Sequence, residues 1–305
     1  MAAYSPGSRT YLTVSQPGAP GNRTNGGLAA GLIVLLSIRV MIDLHLHLLP
    51  GVDDGPASLD AALDLARACV ASGAGTVVAT PHIDDWTRAL LPDTAAVAAC
   101  VAQLRDALAT AAIPLRVLIG GEAFLTPDLP RQVRAGATPT LAGTRWLLVE
   151  TPVHQAPIYL NQVLFELQAM GVTPLLAHPE RYGWLHQNPA LLAELVAKGV
   201  RAQVTAASLA GRHGARQRAL AESFVRRGLV QVVATDRHDV DGRSSLRDGY
   251  DAIVALVGEE HARYLVATNP ALILADKEIP VAIADDHEMA RDGRGGRWLG
   301  RLWGR

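Results

Sequence analysis

Between Met41 and Thr235 the chain alternates short apolar runs with longer amphipathic stretches. Seven short runs read as strands, most of them with the length and the Val, Ile and Leu content of buried ones: Met41–His47, Thr76–Thr80, Leu115–Ile119, Trp146–Glu150, Thr173–Ala177, Arg201–Thr205 and Val230–Thr235. The stretches between them predict helices. Ser58–Ser72 opens on a serine able to cap free N–H groups and stops at Ser72-Gly73, and Asp93–Thr110, Ile158–Met170, Pro189–Lys198 and Ala215–Arg227 repeat the pattern. Regular β-α alternation with strands apolar on both faces points to an α/β fold, either a parallel barrel or a doubly wound sheet.

The polar residues at the strand ends help choose between the two. His45 and His47 end the first run, His82 ends the second in "VVATPH", and Glu122 follows the third in "VLIGGE". Glu150 ends the fourth, His178 the fifth in "LLAHPER", and Asp236 and His238 the seventh in "VVATDRH". All lie at C-terminal strand ends, which a parallel barrel gathers on one rim where a site drawn from many strands is built. Residues two apart on a strand share a side, so His45 and His47 form a clamp for a transition metal. A lone buried histidine is more often a hydrogen-bonded core residue. Crowding five histidines with Asp54, Asp236, Glu122 and Glu150 on one rim without a cation would cost several kcal/mol of desolvation and repulsion, of the order expected for unpaired buried charge. A multinuclear metal site removes that cost. Mixed His/carboxylate ligation without thiolate suits Mn²⁺, Fe²⁺ or Zn²⁺, and two or three such ions bridged by Glu and hydroxide are suited to phosphate ester hydrolysis.

Composition narrows the picture further. The 305 residues are 49% hydrophobic and 19% charged, a globular balance, and the formal net charge of −1 gives no basic field for nucleic acid. Two cysteines, Cys69 and Cys100, both in expected helices, fit a reducing cytoplasm and packing roles. Neither starts a Cys-x₅-Arg loop, because Gly75 and Asp106 stand at the arginine position. Residues 1–40 are expected to be a disordered or mis-assigned extension, with an apolar patch too short for a membrane span, and 277–305 a flexible basic tail ending in "RDGRGGRWLGRLWGR". The barrel is assigned to residues 41–276, and self-association is left open.

The motifs "DLHLHLLPGVDDG", "ATPH", "GGE", "LLVE", "AHPER" and "ATDRH", with "QVTAASLAG" at Gln203–Gly211, together resemble the PHP (polymerase and histidinol phosphatase) superfamily. Within it they are most similar to the bacterial manganese-dependent protein-tyrosine phosphatases of the CpsB/YwqE type, over about Met41 to Ile273. The resemblance implies a distorted (β/α)₇ barrel and three metals. It places His45, His47, Asp236 and a bridging Glu122 at the first, Glu122, Glu150 and His178 at the second, and Asp54, His82 and His238 at the third. Arg181 and Arg243 match the family's phosphate-binding arginines, and the implied substrate is the tyrosine-rich tail of a bacterial autokinase controlling capsule or exopolysaccharide synthesis. Two departures stand out: Arg237 between the last two ligands, and Ile83 after His82. Asp43 is expected to support a histidine ring, and Asp53 is the alternative to Asp54 as ligand. The competing readings are a histidinol-phosphatase-like phosphomonoesterase and a non-catalytic PHP module.

Because the first ligand-bearing run begins at Met41, a chain starting there should fold and bind metal as the full chain does. Thermal unfolding and metal content of the two forms check this, and a large loss in the shorter one would overturn it.

Overall fold

In a computed structural model, which describes residues 41–241 and 244–281, every apolar run becomes a parallel strand. The strands are β1 (Met41–Leu46), β2 (Ala74–Ala79), β3 (His82–Ile83), β4 (Arg116–Ile119), β5 (Glu122–Phe124), β6 (Trp146–Glu150), β7 (Thr173–Ala177), β8 (Arg201–Thr205) and β9 (Val232–Ala234). Nine strands arise from seven runs because two runs bend. Pro81, which has no N–H for a ladder, separates β2 from β3, and Gly120-Gly121 separates β4 from β5. A side chain at Gly120 is excluded, since its Cβ would stand 2.5 Å from Val78 Cγ1.

Pairing runs β1-β2-β4 and β3-β5-β6-β7-β8-β9, all parallel. Since β2 continues into β3 and β4 into β5, the two sheets share two staves. The ring closes where β9 returns to β1, through a parallel bridge between Leu46 and Arg237. There His47 N–H donates to the Arg237 carbonyl at 3.0 Å and Asp236 N–H to the His45 carbonyl at 2.8 Å. The result is the distorted seven-stave barrel that the resemblance implies.

Strand alternation sorts the apolar residues into two layers. Leu147, Val149, Leu176, Val204 and Val233 belong to a large cluster with the outer helices. Leu44, Val78, Leu148, Leu175 and Val232 form a second cluster that fills the barrel, together with Ile273 and Ile279 from the last described segment. The expected helices are present as Leu59–Ala71, Thr94–Thr110, Leu160–Ala169, Ala190–Ala197 and Ala215–Arg226, the first two capped by Ser58 and Asp93. A further helix, Leu246–Val257, lies beyond the β-α alternation that guided the sequence reading. Its start was nonetheless written locally, as a capping box between Ser245 and Asp248.

Asp43 departs from its expected role. It touches no histidine ring; its carboxylate accepts from the N–H groups of His45 (3.2 Å) and Thr235 (3.1 Å) and from Thr235 Oγ1 (2.5 Å). Asp43 thus laces β1 to the stave that closes the ring, and its burial raises its pKa above the ordinary carboxyl value. Residues 1–40 and most of 277–305 lie outside the described residues.

Asp43→Ala should leave buried donors unmet on both sides of the seam and destabilise the fold by about 2–4 kcal/mol. Equilibrium urea unfolding measures this, and a change within error of zero would contradict the closing role.

Candidate metal centre

Local backbone devices aim the donors. The pairing register of β1 on β2 slips between Asp43 and Leu46, and such a bulge re-aims side chains. It lets His45 join His47 at the mouth although Leu44, its neighbour, faces the barrel interior. At the ends of β7 and beyond β9, His178 and Asp236 adopt left-handed backbone with φ of 32° and 53°. Such conformations cost non-glycine residues on the order of 1–3 kcal/mol and concentrate at functional sites.

The first group is the tightest. His45 Nε2 and His47 Nε2 stand 3.3 Å apart, each 3.1–3.5 Å from both Glu122 Oε2 and Asp236 Oδ1. The second comprises His47, Asp54, His82 and His238, with Asp54 Oδ1 3.4 Å from His82 Nε2 and 3.2 Å from His238 Nε2. In the third, His82 Nδ1 lies 3.1 Å from Glu122 Oε2 and 3.8 Å from Glu150 Oε2. His178 Nε2 reaches the same pair from the far side, 2.9 Å from Glu122 Oε1 and 3.8 Å from Glu150 Oε1. The nine residues singled out in the sequence therefore meet at one mouth.

The donor chemistry fits divalent cations. His47 Nδ1 contacts the Asp53 carboxylate at 2.8 Å and His45 Nδ1 contacts Gln203 Oε1 at 2.9 Å, so each Nδ1 carries hydrogen and each Nε2, once deprotonated, turns a lone pair to the centre. Glu122 Oε2 is buried and has no hydrogen-bond partner despite three imidazole nitrogens within 3.4 Å. Converging lone pairs around an orphaned carboxylate oxygen are what an ion requires and what hydrogen bonding alone leaves unsatisfied.

Two supporting residues escaped the sequence reading in these roles. Gln203 was noted only as part of a motif. Asp53, weighed as a ligand, instead orients His47 while accepting from the N–H groups of Gly55 (3.0 Å) and His82 (3.2 Å). A side chain at Gly55 would stand 2.9 Å from the His47 carbonyl, which accounts for the glycine closing "GVDDG".

Arg181 Nη1 grips Asp236 Oδ2 at 2.6 Å and leaves its partly exposed fork at the mouth. Arg243 lies outside the described residues. Both departures from the family pattern resolve as packing: Arg237 is buried, with Nη2 donating to the Val240 carbonyl, and Ile83 joins the helix-side core. Burial lifts the Cys69 thiol to about 12, so it is an inert core group. Three aromatic residues follow or end strands beside the centre: Phe124, the last residue of β5, and Tyr159 after β6 are half-buried, and Trp86 after β3 is exposed.

Without metal the centre holds protons. Burial alone would lower the His45 pKa, but the Glu122 and Asp236 carboxylates outweigh it and hold the imidazole at about 9. His47 is likewise raised, and Asp236 is lowered by the His45 charge and the His47 hydrogen bond despite burial. A cation must displace the His45 proton, so divalent affinity should rise with pH and level off above about 9. Calorimetric titration at pH 7.5 in buffers of different ionisation heat should show proton release, and none would contradict this.

A profile of the family described as capsular polysaccharide synthesis, CpsB/CapC, matches residues 41–275. The chain is 34% identical over 241 residues to the tyrosine-protein phosphatase YwqE of Bacillus subtilis (strain 168), covering 78% of this chain and 93% of YwqE. It is 30% identical over 247 residues to the tyrosine-protein phosphatase CpsB of Streptococcus pneumoniae, covering 78% of this chain and all 100% of CpsB. A crystal structure from work on YwqE and CpsB, described as unique metal-dependent tyrosine phosphatases, aligns with a TM-score of 0.76 at 33% identity, over 79% of this chain and 97% of that one. The match runs from the first strand through the last described helix, and the chain belongs to the CpsB/CapC family.

Proposed function

We propose that this chain is a metal-dependent tyrosine-protein phosphatase, with Mn²⁺ as its working ion and a bacterial tyrosine autokinase controlling capsule or exopolysaccharide synthesis as its substrate. The observation that carries the reading is the overlap of the three candidate groups: Glu122, His47 and His82 each fall in two of them, and Glu122, with two carboxylate oxygens, is the donor able to serve two ions. Sharing sets the groups side by side, as in-line displacement at phosphorus requires of a multinuclear centre. His45, His47, Glu122 and Asp236 would hold one ion, Glu122, Glu150 and His178 a second, and Asp54, His82 and His238 a third.

Bound divalent ions supply Lewis acidity, lowering the pKa of water and neutralising phosphoryl oxygens. The chain's own residues do the positioning. Gln203 and Asp53 keep the imidazoles of His45 and His47 aimed. Arg181, fixed by Asp236, directs its remaining N–H groups toward the phosphoryl group, and Arg243 would join it by the family pattern. A tyrosyl oxygen, with an ordinary pKa of about 10, leaves without the proton donation that an alkoxide needs. Neither cysteine pairs with the other, and among the described residues no helix is long and apolar enough to cross a membrane. A cytoplasmic site of action accords with both.

Chelation should abolish hydrolysis of phosphotyrosine peptides, and Mn²⁺ should restore it best. His178→Ala should lose metal with activity, whereas Arg181→Ala should keep its metal and lose on the order of 10²–10³ in rate. Phosphotyrosine should be preferred over phosphoserine by at least about tenfold in kcat/KM, since a phenolate leaves more readily than an alkoxide and the longer side chain carries its phosphate farther from the backbone. Full metal occupancy in His178→Ala, or equal rates on both peptides, would overturn the reading.

A further inference from the structure

Isolated apolar side chains on a surface need no explanation, but a concentration of them on one face does. Seven large apolar residues are exposed among the described residues, and six of them follow the C-terminal ends of strands, on the face of the candidate metal centre. The seventh, Phe165, sits on the outer helix Leu160–Ala169. Four of the six form two pairs: Trp86 (69% exposed) and Leu90 (61%) after β3, and Val153 (40%) and Ile158 (102%) after β6.

The loops presenting these pairs are well anchored. Asp84 Oδ1 accepts from the N–H groups of Trp86 and Thr87 at 2.9 and 2.8 Å, and Thr87 Oγ1 donates to the His82 carbonyl at 2.7 Å. The Val153 carbonyl accepts from Gly183 N–H at 2.7 Å. The segment after β5, a short loop and the helix Leu129–Arg134, joins both neighbours, through Arg88 Nη2 on Gln132 Oε1 at 2.5 Å and Tyr159 Oη toward the Leu125 carbonyl at 3.5 Å. The four residues therefore border one continuous arc of the mouth, the arc above His82, Glu122 and Glu150. Ordered backbone holding apolar tips in water does not serve the fold. It serves something that covers them.

We propose that this arc is the docking surface for the polypeptide on either side of the phosphotyrosine, and that it selects apolar flanking residues. The inference rests on the phosphatase reading of the same site. A small phosphate ester fills the mouth and leaves the arc bare. A polypeptide whose phosphorylated side chain enters must lay its neighbouring residues, at about 3.3 Å per residue, across it. The exposed carboxylate of Asp85, on the loop that carries Trp86, opposes acidic flanks, and the apolar tips beside it reward flanks that bury apolar area.

The test compares phosphotyrosine peptides flanked by Leu and Val with peptides of equal length flanked by Ser and Gly, using wild-type protein and Leu90→Ser with Ile158→Ser. p-Nitrophenyl phosphate, too small to reach the arc, is the control. KM should be about tenfold lower for the apolar-flanked peptide in the wild type and equal for both in the double variant, with kcat held. Equal KM values in the wild type, a preference that survives the substitutions, or a change confined to self-association in sedimentation would each overturn the proposal. Calorimetric binding to the metal-loaded protein separates the two readings. Arc-dependent binding without hydrolysis keeps the docking surface and removes the phosphatase; hydrolysis without arc dependence does the reverse.

Discussion

The arrangement turns on one buried carboxylate. Glu122 Oε2 has imidazole nitrogens of His45, His47 and His82 at 3.1–3.4 Å and makes no hydrogen bond. A charge in that position is stabilised only by a balancing positive charge, whether protons on the surrounding histidines or a cation among them. Much of the irregular backbone serves to put donors there: the Gly120-Gly121 bend before Glu122, the slip in β1, and the left-handed residues His178 and Asp236. Strain of this kind persists because the parallel ladder on either side leaves the chain no other route.

Around that oxygen the polar residues divide their tasks by position rather than by type. Asp43, Asp53 and Asp54 lie within one short stretch, yet the first closes the barrel, the second orients His47 and the third faces His82 and His238. The difference comes from depth. Asp43 lies buried at the seam, Asp53 sits beneath the loop and Asp54 stands at the open mouth. Membership of the CpsB/CapC family gives the cluster a context, and the apolar arc beside it adds a surface that metal chemistry alone does not need.

Much of this was legible in the sequence because strands, helices and parallel topology follow from local regularities. Trp146–Glu150, Thr173–Ala177 and Arg201–Thr205 coincide with the predicted runs residue for residue, each a five-residue segment set between helical stretches. The breaks in the second and third staves are marked by Pro81 and by Gly120-Gly121, but single-run reading merged or shortened them. The helix Leu246–Val257 went unread because nothing after it resembles a strand, although its capping box was in plain view.

The candidate ligands were readable for a related reason. A parallel barrel sends every C-terminal strand end to one rim, so polar residues at those ends converge whatever their distance along the chain. What each polar residue then does depends on contacts that residue order does not encode. Gln203 reaches His45 across 158 positions, Asp43 reaches Thr235 across 192, and Arg237 turns from the centre into the protein. Sequence alone determined the alternation of elements, through its periodicity, and the candidate donors, through their places at or just after strand ends. Only the tertiary structure decided which donors share an oxygen, which carboxylate closes the ring and which apolar tips border the mouth, because those depend on where separate staves meet in space.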